Sequence, residues 1–551
     1  MYGYDNGVIT SIFTMASFQH SYGINPNYGA GYAVVPIALA ASMVASFLSG
    51  LIADRLGRKK LFFIATIIHE IGSIIEIASH NKVSFLIGRS ITGFSLGIFS
   101  MLIPLYQSEI AKPQNRGRLI TIYQIFITFG FFVAFWLGAG TFRISTNASW
   151  KIPIGCQLVP GLLMLIGLYF IPESPRWLIY KDRNDEALKI LARLRSHGNE
   201  HDVDVQMEFT GIAQDSSFDK LTYTTPRFFL LLKKGTENNR KRTLLGMGVH
   251  TFSQLSGINA ILFYLPHILE SAGIKELYSA MVGNGVGGAV NFIATLFVLF
   301  YIDRCDRRVI LIVGALAMAI CMITITIISA LFNQRFVHSN DQTYADDVLS
   351  TIDNPVVSYA ILVLLCVFIG FFALSWGPIG WIYPAEIYPQ MIRANALAVT
   401  TSCSYLFNLF VSLVSPIMFR YILWGTYLFF GVMCFIMAIV IKKFYPETRG
   451  RSLEEIQLIF SGALIDQRPD AHHPATAAEA LLHLEQIQHR NTLNQQSSFE
   501  WSNNMIVSKP LHVTRILYPQ PSFSTSSSTT SIVSCKSLVI ESNPNNHCST
   551  S

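Results

Sequence analysis

Ser253-Gln-Leu-Ser-Gly-Ile-Asn-Ala-Ile-Leu-Phe-Tyr264 lies inside an otherwise apolar run from Leu244 to Leu269. That run is long enough to cross a bilayer, which takes about 20 apolar residues of helix. Polar side chains in hydrocarbon cost free energy, so they face a cavity or a partner. Gln254 and Asn259 are neutral amides, each with two donors and an acceptor. That chemistry suits an uncharged, hydroxyl-rich ligand such as a sugar. It equally suits a polar contact between helices, and the stretch alone does not choose. Gly257 permits a close backbone approach or a break between the two amides, and Tyr264 adds an amphipathic ring.

Outward from this run the chain keeps the same character. Of 551 residues, 51% are hydrophobic and 13% are charged. Soluble domains carry about 25% charged residues, so the composition implies an all-α polytopic membrane protein in contact with a lipid bilayer. The net charge of +6 is no footprint of a nucleic acid, because the basic residues sit in short loops between apolar runs. Cys156, Cys321, Cys366, Cys403 and Cys434 fall within apolar segments, Cys305 in a basic loop, and Cys535 and Cys548 near the end. No spacing among the eight suggests zinc or a disulfide framework, and no motif calls for a metal, a cofactor or an enzymatic reaction. No basic n-region marks a cleavable signal at the start.

Apolar runs fall near 1–17, 30–53, 61–79, 83–107, 119–141 and 152–171, then near 243–269, 277–302, 309–332, 356–383, 394–421 and 423–444. These predict two six-helix bundles, 1–171 and 243–444. Between them, 172–242 is charged, with Leu188, Leu191 and Leu194 at helical spacing, and reads as a helical insert. The basic loops Arg55–Lys60, Lys112–Arg118 and Arg304–Arg308, with the insert, predict one cytoplasmic face. The opposite loop, 333–355, holds Asp341, Asp346, Asp347 and Asp353 instead. Both termini then lie in the cytoplasm of a multi-pass protein, with the plasma membrane as the expected site. Asn147-Ala-Ser149 is a glycan acceptor pattern in an outside loop. Residues 445–551 form a cytoplasmic tail. Thr476–Glu479 resembles a capping box before a helix over 480–488, and the Ser/Thr-rich remainder beyond about 490 cannot bury a core. Regulatory proteins or kinases are the partners such a tail suggests. His472, His473, His483 and His489 lack a ligand geometry.

Three features recur in both halves. Asp54-Arg-Leu-Gly-Arg58 follows the second run, and Asp303-Arg-Cys-Asp-Arg307 follows the eighth. Glu109 with Arg116 follows the fourth, and Glu386 with Arg393 the tenth. Glu173 follows the sixth, and Glu447 the twelfth. Matched pairs at matched places argue for two homologous halves. Topology needs Lys and Arg but not acidic partners, so Asp54, Arg55, Arg58, Glu109, Arg116, Glu173, Asp303, Arg307, Glu386, Arg393 and Glu447 are read as a cytoplasmic gate of ion pairs.

At these residues the chain resembles the sugar porter family of the major facilitator superfamily, and most of all its fungal monosaccharide (hexose) transporters. The resemblance covers residues 1 to about 457. Its most specific motifs are Pro172-Glu-Ser-Pro-Arg-Trp177, Gln254-Leu-Ser-Gly-Ile-Asn259 and Pro446-Glu-Thr-Arg-Gly450. It implies the major facilitator fold and two bundles rocking about a central monosaccharide site. It places sugar contacts at Gln124, Gln254, Asn259, Asn291, Trp381 and Asn408. Amides exchange paired hydrogen bonds with sugar hydroxyls, and an indole offers a flat face to a pyranose ring. Departures stand at Ser253, where many members have Gln, at Phe131, where several glucose binders have Gln, and at Asp306 in place of Gly. Ser253 is read as facing the sugar in a roomier cavity, and Asp306 as loosening one gate.

Asp5 lies in the first run and Arg89 in the fourth. A lone charge in mid-membrane costs about 2.5 kcal/mol or more, so the two are expected to pair. Burial favours a neutral carboxyl and a neighbouring guanidinium a charged one. In proton-coupled sugar porters the family assigns proton coupling to the residues matching Asp5 and Arg89, which implies symport with protons. A structural pair in a facilitative uniporter is the alternative, and a non-transporting sensor signalling through the tail is another. In the family about half a helix precedes the matching Asp, whereas here only Met1 to Tyr4 do. Either the start is misplaced or the bundle lacks a strut with a truncated first helix, and a span of about 17 residues crosses only by sliding Asp5 to the cytoplasmic interface. Gly283-Asn-Gly-Val-Gly-Gly288 matches a dinucleotide fingerprint, but it has no preceding strand and is read as a helix-packing surface.

Overall fold

The computed structural model describes residues 1–13, 15–22, 34–112, 115–222, 227–233, 238–271, 277–332, 334–336, 349–351, 354–422, 424–449, 456 and 460. They belong to one compact unit within 1–489. The segment over 480–488, the four histidines, the Ser/Thr-rich tail and the acidic residues from Asp341 to Asp353 lie outside the described residues.

Helices account for almost all of the description. The first span is Tyr2–Ile12, followed by a short Ala16–Tyr22 helix. The second to sixth are Val34–Leu56, Arg58–Ala78, Lys82–Ile110, Arg116–Thr141, and Ala148–Gly155 continued by Leu158–Phe170. The seventh is Asn239–Leu255 continued by Ile258–Ser271. The eighth and ninth are Leu277–Tyr301 and Arg307–Phe332. The tenth is Pro355–Leu374 continued by Trp376–Ile387, and the last two are Arg393–Tyr421 and Trp424–Phe444. Ten of these are long and apolar enough to cross a membrane. The first is not: eleven residues at 1.5 Å each reach only about 16 Å, half the hydrocarbon thickness. The seventh is interrupted at Gly257, whose φ of +87° is left-handed. One departure from an all-helical chain is a three-residue antiparallel pair, Gln334–Phe336 with Leu349–Thr351.

Small residues set the helix spacing. A side chain at Gly93 would meet the backbone of Ala38, and one at Gly97 the backbone of Ser42. The second and fourth spans thus touch backbone to backbone, and the Ser42 hydroxyl donates to the Gly93 carbonyl at 2.6 Å. The two halves meet along the second and eleventh spans, where Gly50 faces Ala394 and Ala398 and the hydroxyls of Ser46 and Ser402 are 2.8 Å apart. They meet again along the fifth and eighth spans. There Gly285 packs on Trp136 and Gly288 on Phe135, while Gly283 and Gly287 receive Leu269 and Leu265. The glycine-rich stretch is the packing surface that its sequence implies. Large apolar side chains such as Ile166, Phe170, Ile320 and Leu331 are exposed on the outside of the helices.

The charged insert is helical over Pro175–Tyr180, Asn184–Arg195, Val203–Thr222 and Arg227–Leu230. Trp177, Ala187 and Ile212 form its own small core. Leu191 is buried, whereas Leu194 is 36% exposed, so the apolar stripe is narrower than its spacing suggests. Arg195 ties the insert to the fourth span by donating to the Ile110 carbonyl at 3.1 Å while holding Glu208 with two bonds.

Candidate functional site

An open cavity lies between the halves. Gln124, Ser253, Gln254, Asn259, Asn291 and Trp381 line it, as does Phe131. Asn408 does not. It is buried one turn beyond Ser404, which does line the cavity, and its Oδ1 has no hydrogen-bond partner. Tyr264 is also elsewhere, donating to the Ser412 carbonyl at 3.0 Å. Tyr2, Asn6, Thr128, His250 and Ser404 complete the polar lining. A helical reading one turn either side of Gln254 reaches His250, but nothing in one sequence singles out the others.

The break at Gly257 positions the amides. Across it, Asn259 Nδ2 donates to Gln254 Oε1 at 2.6 Å, and Gln254 Nε2 donates to Ser404 Oγ at 3.0 Å. The second break follows Ser375 and starts the helix that carries Trp381. The Trp381 indole donates to Gln124 Oε1 at 3.1 Å, joining the halves. Tyr123 and His250 meet Trp381 edge-on, at 5.4 and 5.2 Å between centroids. The indole is therefore held in one orientation. Asn291 Oδ1 is buried without a partner. Donors, acceptors and one flat apolar face converge on a space with no ionised group in its lining.

Asp5 is not at an interface. Its side chain and that of Arg89 are each 1% exposed. Asp5 Oδ1 accepts from Arg89 Nη1 at 2.7 Å and from Gln157 Nε2 at 2.8 Å. The expected slide of Asp5 towards the basic face is thus overturned: pairing with Arg89 and Gln157 keeps it inside the bundle. The short helix is instead packed tightly on the fifth span, where a side chain at Gly3 would strike the Ile127 carbonyl and one at Gly130 the Tyr4 amide.

The basic end repeats itself. Arg58 grips Glu109 with two bonds of 2.9 and 2.7 Å, approaches Asp54 at 3.2 Å and donates to the Ala53 carbonyl. Arg307 approaches Glu386 at 3.4 Å and Asp303 at 3.3 Å and donates to the Ile302 carbonyl. Glu173 accepts from the Arg58 and Lys59 amides that open the third span, and Glu447 from the Arg307 and Arg308 amides that open the ninth. Carboxylates suit helix N-termini, whose first amides lack partners. Between the halves runs Arg118 to Asp303 at 3.4 Å, and from the insert Arg176 reaches Gln390 of the second half at 3.2 Å. Arg393 is buried and bonds the Tyr388 carbonyl and Gln390, and Arg116 is buried beside Glu386. Two expectations change here. Arg55 is exposed and has no ion pair among the described residues. Asp306 loosens nothing, because its carboxylate accepts from Arg449 at 3.0 Å. At the opposite end Asn147 is exposed and accepts from Ser21, but Ser149 of the same pattern is buried against Ser17.

The profile of a family described as "Sugar (and other) transporter" matches residues 1–460. A glucose transporter of Aspergillus flavus is 30% identical over 84% of this chain and 88% of its own length. A high-affinity fructose transporter of Schizosaccharomyces pombe is 31% identical over 84% of each. Among solved structures, a proton:xylose symporter bound to 6-bromo-6-deoxy-D-glucose shares the fold, with TM-score 0.70 at 24% identity over 83% of this chain and 96% of that one. The inward-open form of the same transporter, from E. coli, has 25% identity over the same shares and a TM-score of 0.59.

Proposed function

Because the chain belongs to the sugar porter family of the major facilitator superfamily, and is an integral membrane sugar transporter by that membership, we propose that it moves a monosaccharide, most simply a hexose, together with a proton. The observation that carries this reading is a neutral amide-lined cavity between the halves together with a fully buried Asp5–Arg89 pair in the first of them. An unpaired charge at that depth is costly, so the pair stays closed while Asp5 is ionised and loosens when Asp5 takes a proton. The sugar would lie on Trp381 and exchange hydrogen bonds with Gln124, Gln254, Asn259 and Asn291, while Ser253 leaves room beside them.

In this reading the basic end is cytoplasmic, both termini lie on that side, and the protein resides in the plasma membrane. The pairs around Arg58 and Arg307 hold the cytoplasmic end shut. The halves 1–171 and 243–444 then rock as bodies, with 172–242 as a cytoplasmic strap between them. The test is uptake of radiolabelled glucose, fructose, galactose and xylose by the full chain in proteoliposomes, with an imposed proton gradient and with a protonophore. Accumulation that collapses with the protonophore supports symport. Equilibration indifferent to the gradient supports a uniporter, and absence of any uptake supports a sensor.

A further inference from the structure

Arg89 faces a second acid that the pairing with Asp5 leaves unexplained. Glu76, in the third span, is wholly buried. Its Oε1 lies 3.6 Å from the same Arg89 Nη1 that grips Asp5, and it accepts from the Thr92 hydroxyl at 2.7 Å. Its Oε2 is buried with no hydrogen-bond partner. Two carboxyls therefore share one guanidinium in a site closed to water. Fully ionised, the trio would carry a net negative charge, and an uncompensated buried charge is far costlier than a protonated acid. Asp5 receives both charge-assisted bonds, from Arg89 and Gln157, so it is the ionised partner. Glu76 receives one hydroxyl and leaves one oxygen bare.

Among the described residues no other side-chain cation meets either acid, and the one further positive group that acts on Asp5 is the Met1 amino group. On the same helix, His69 meets Ser95 Oγ at 3.2 Å, and the Glu70 carboxyl has a buried oxygen without a partner. The Met1 amino group, on the first helix, makes no ion pair with any of these acids. From the short helix after it, Tyr22 bonds Ser79. The sixth span brings neutral Gln157, and Cys156 beside Tyr4.

We infer that Glu76 is a second proton-carrying acid, holding a proton while Asp5 and Arg89 are paired and accepting Arg89 when Asp5 is protonated. The inference rests on the proton-coupled reading above. In the exchange an O–H bond forms on Asp5 with a proton given up by water of the cavity, and the O–H bond on Glu76 breaks, its proton passing to water admitted as the halves part, while Arg89 Nη1 moves from Asp5 to Glu76. The trio stays neutral throughout, and one proton enters for each that leaves. Without Glu76, protonating Asp5 would strand a buried guanidinium, so a more acid medium would be needed.

Two measurements on the full chain test this separately from symport itself. The first is the infrared spectrum of purified protein at neutral pH. A protonated-carboxyl band present in the wild type should vanish in E76Q, and it should vanish in D5N as well, because a neutral residue 5 leaves Glu76 to ionise and hold Arg89. The second is glucose-driven proton uptake in proteoliposomes against pH. In E76Q the midpoint should move to the acid side by about one pH unit or more, a tenfold change in proton affinity, and E76D should restore part of the shift. Glucose binding read from the change in tryptophan fluorescence reports whether each variant is folded. Wild type that moves glucose without protons overturns symport, and the infrared band still decides Glu76. A band unaffected by E76Q, or an unmoved midpoint in a symporting protein, overturns the inference.

Discussion

Replacing Gly257 by alanine tests whether the break in the seventh span builds the sugar cavity. Gly257 has φ +87°, and an added Cβ would lie 2.6 Å from Phe430 Cγ and 2.8 Å from both Cδ atoms. The obstacle is the root of a fully buried ring, which cannot swing away as a flexible tip would. A left-handed conformation costs an L-residue about 1–2 kcal/mol, and overpacking a dense interior costs about 1–3 kcal/mol. The two together predict a loss of roughly 2–5 kcal/mol. The chain can relieve the strain by straightening the helix, but that separates Asn259 from Gln254, now 2.6 Å apart. Thermal unfolding followed by size-exclusion chromatography, beside glucose binding by fluorescence, reads both effects. Gly140→Ala is the control, since its Cβ would meet nothing within 4 Å, and alanine in a helix is favoured over glycine by about 0.5–1 kcal/mol. If Gly257→Ala unfolds with the wild type and binds glucose equally well, the break is not what holds the amides.

Asp5→Asn should abolish accumulation against a gradient while sugar counterflow continues, and pH-dependent accumulation by the variant would exclude Asp5 as the coupling acid. Glu109→Gln removes one partner of a buried pair, worth roughly 3–5 kcal/mol. Cysteines placed at the basic end should then become reactive to a membrane-impermeant thiol reagent, and unchanged labelling would remove Glu109 from the closure. Ser253→Gln should add one hydrogen bond to a hexose, about 0.5–1.5 kcal/mol or three- to tenfold in affinity, and should narrow the sugar panel. An identical competition profile for glucose, mannose, galactose and xylose would place Ser253 off the sugar path.

What the sequence made legible follows its periodicities and its charges. Long apolar runs announce spanning helices because every backbone group in hydrocarbon must be satisfied internally. The paired motifs around Arg58 and Arg307 announce a repeat because acids and bases recur at the same distance from the same helix ends. The lateral arrangement was not legible. His250 reaches Trp381, and Ser404 reaches Gln254, only because helix breaks and crossings aim them. Asn408 shows the converse, since a residue of the right chemistry one turn away is buried outside the lining. Asp5 was misplaced for a related reason. Counting residues to a bilayer surface ignores Arg89 and Gln157, whose bonds hold it inside the bundle. Glu76 was passed over because a lone acid in an apolar run carries no sign of its neighbours.

Glu173 and Glu447 each fasten the exit of a half's sixth helix to the first amides of its third, with bonds of 2.9 to 3.3 Å. Inside the first half, Arg58 and Glu109 add a bidentate clamp. Across the seam the basic end carries Arg118 on Asp303 at 3.4 Å, with Arg176 of the insert on Gln390 at 3.2 Å, and the helices there meet through glycine, alanine and serine. Such faces slide with little interlocking to undo. Strength is therefore distributed as in a riveted plate with a scored line. Under thermal agitation the halves are expected to part along that line before either one comes apart, because the bidentate clamp lies within a half and the small-residue faces lie between the halves.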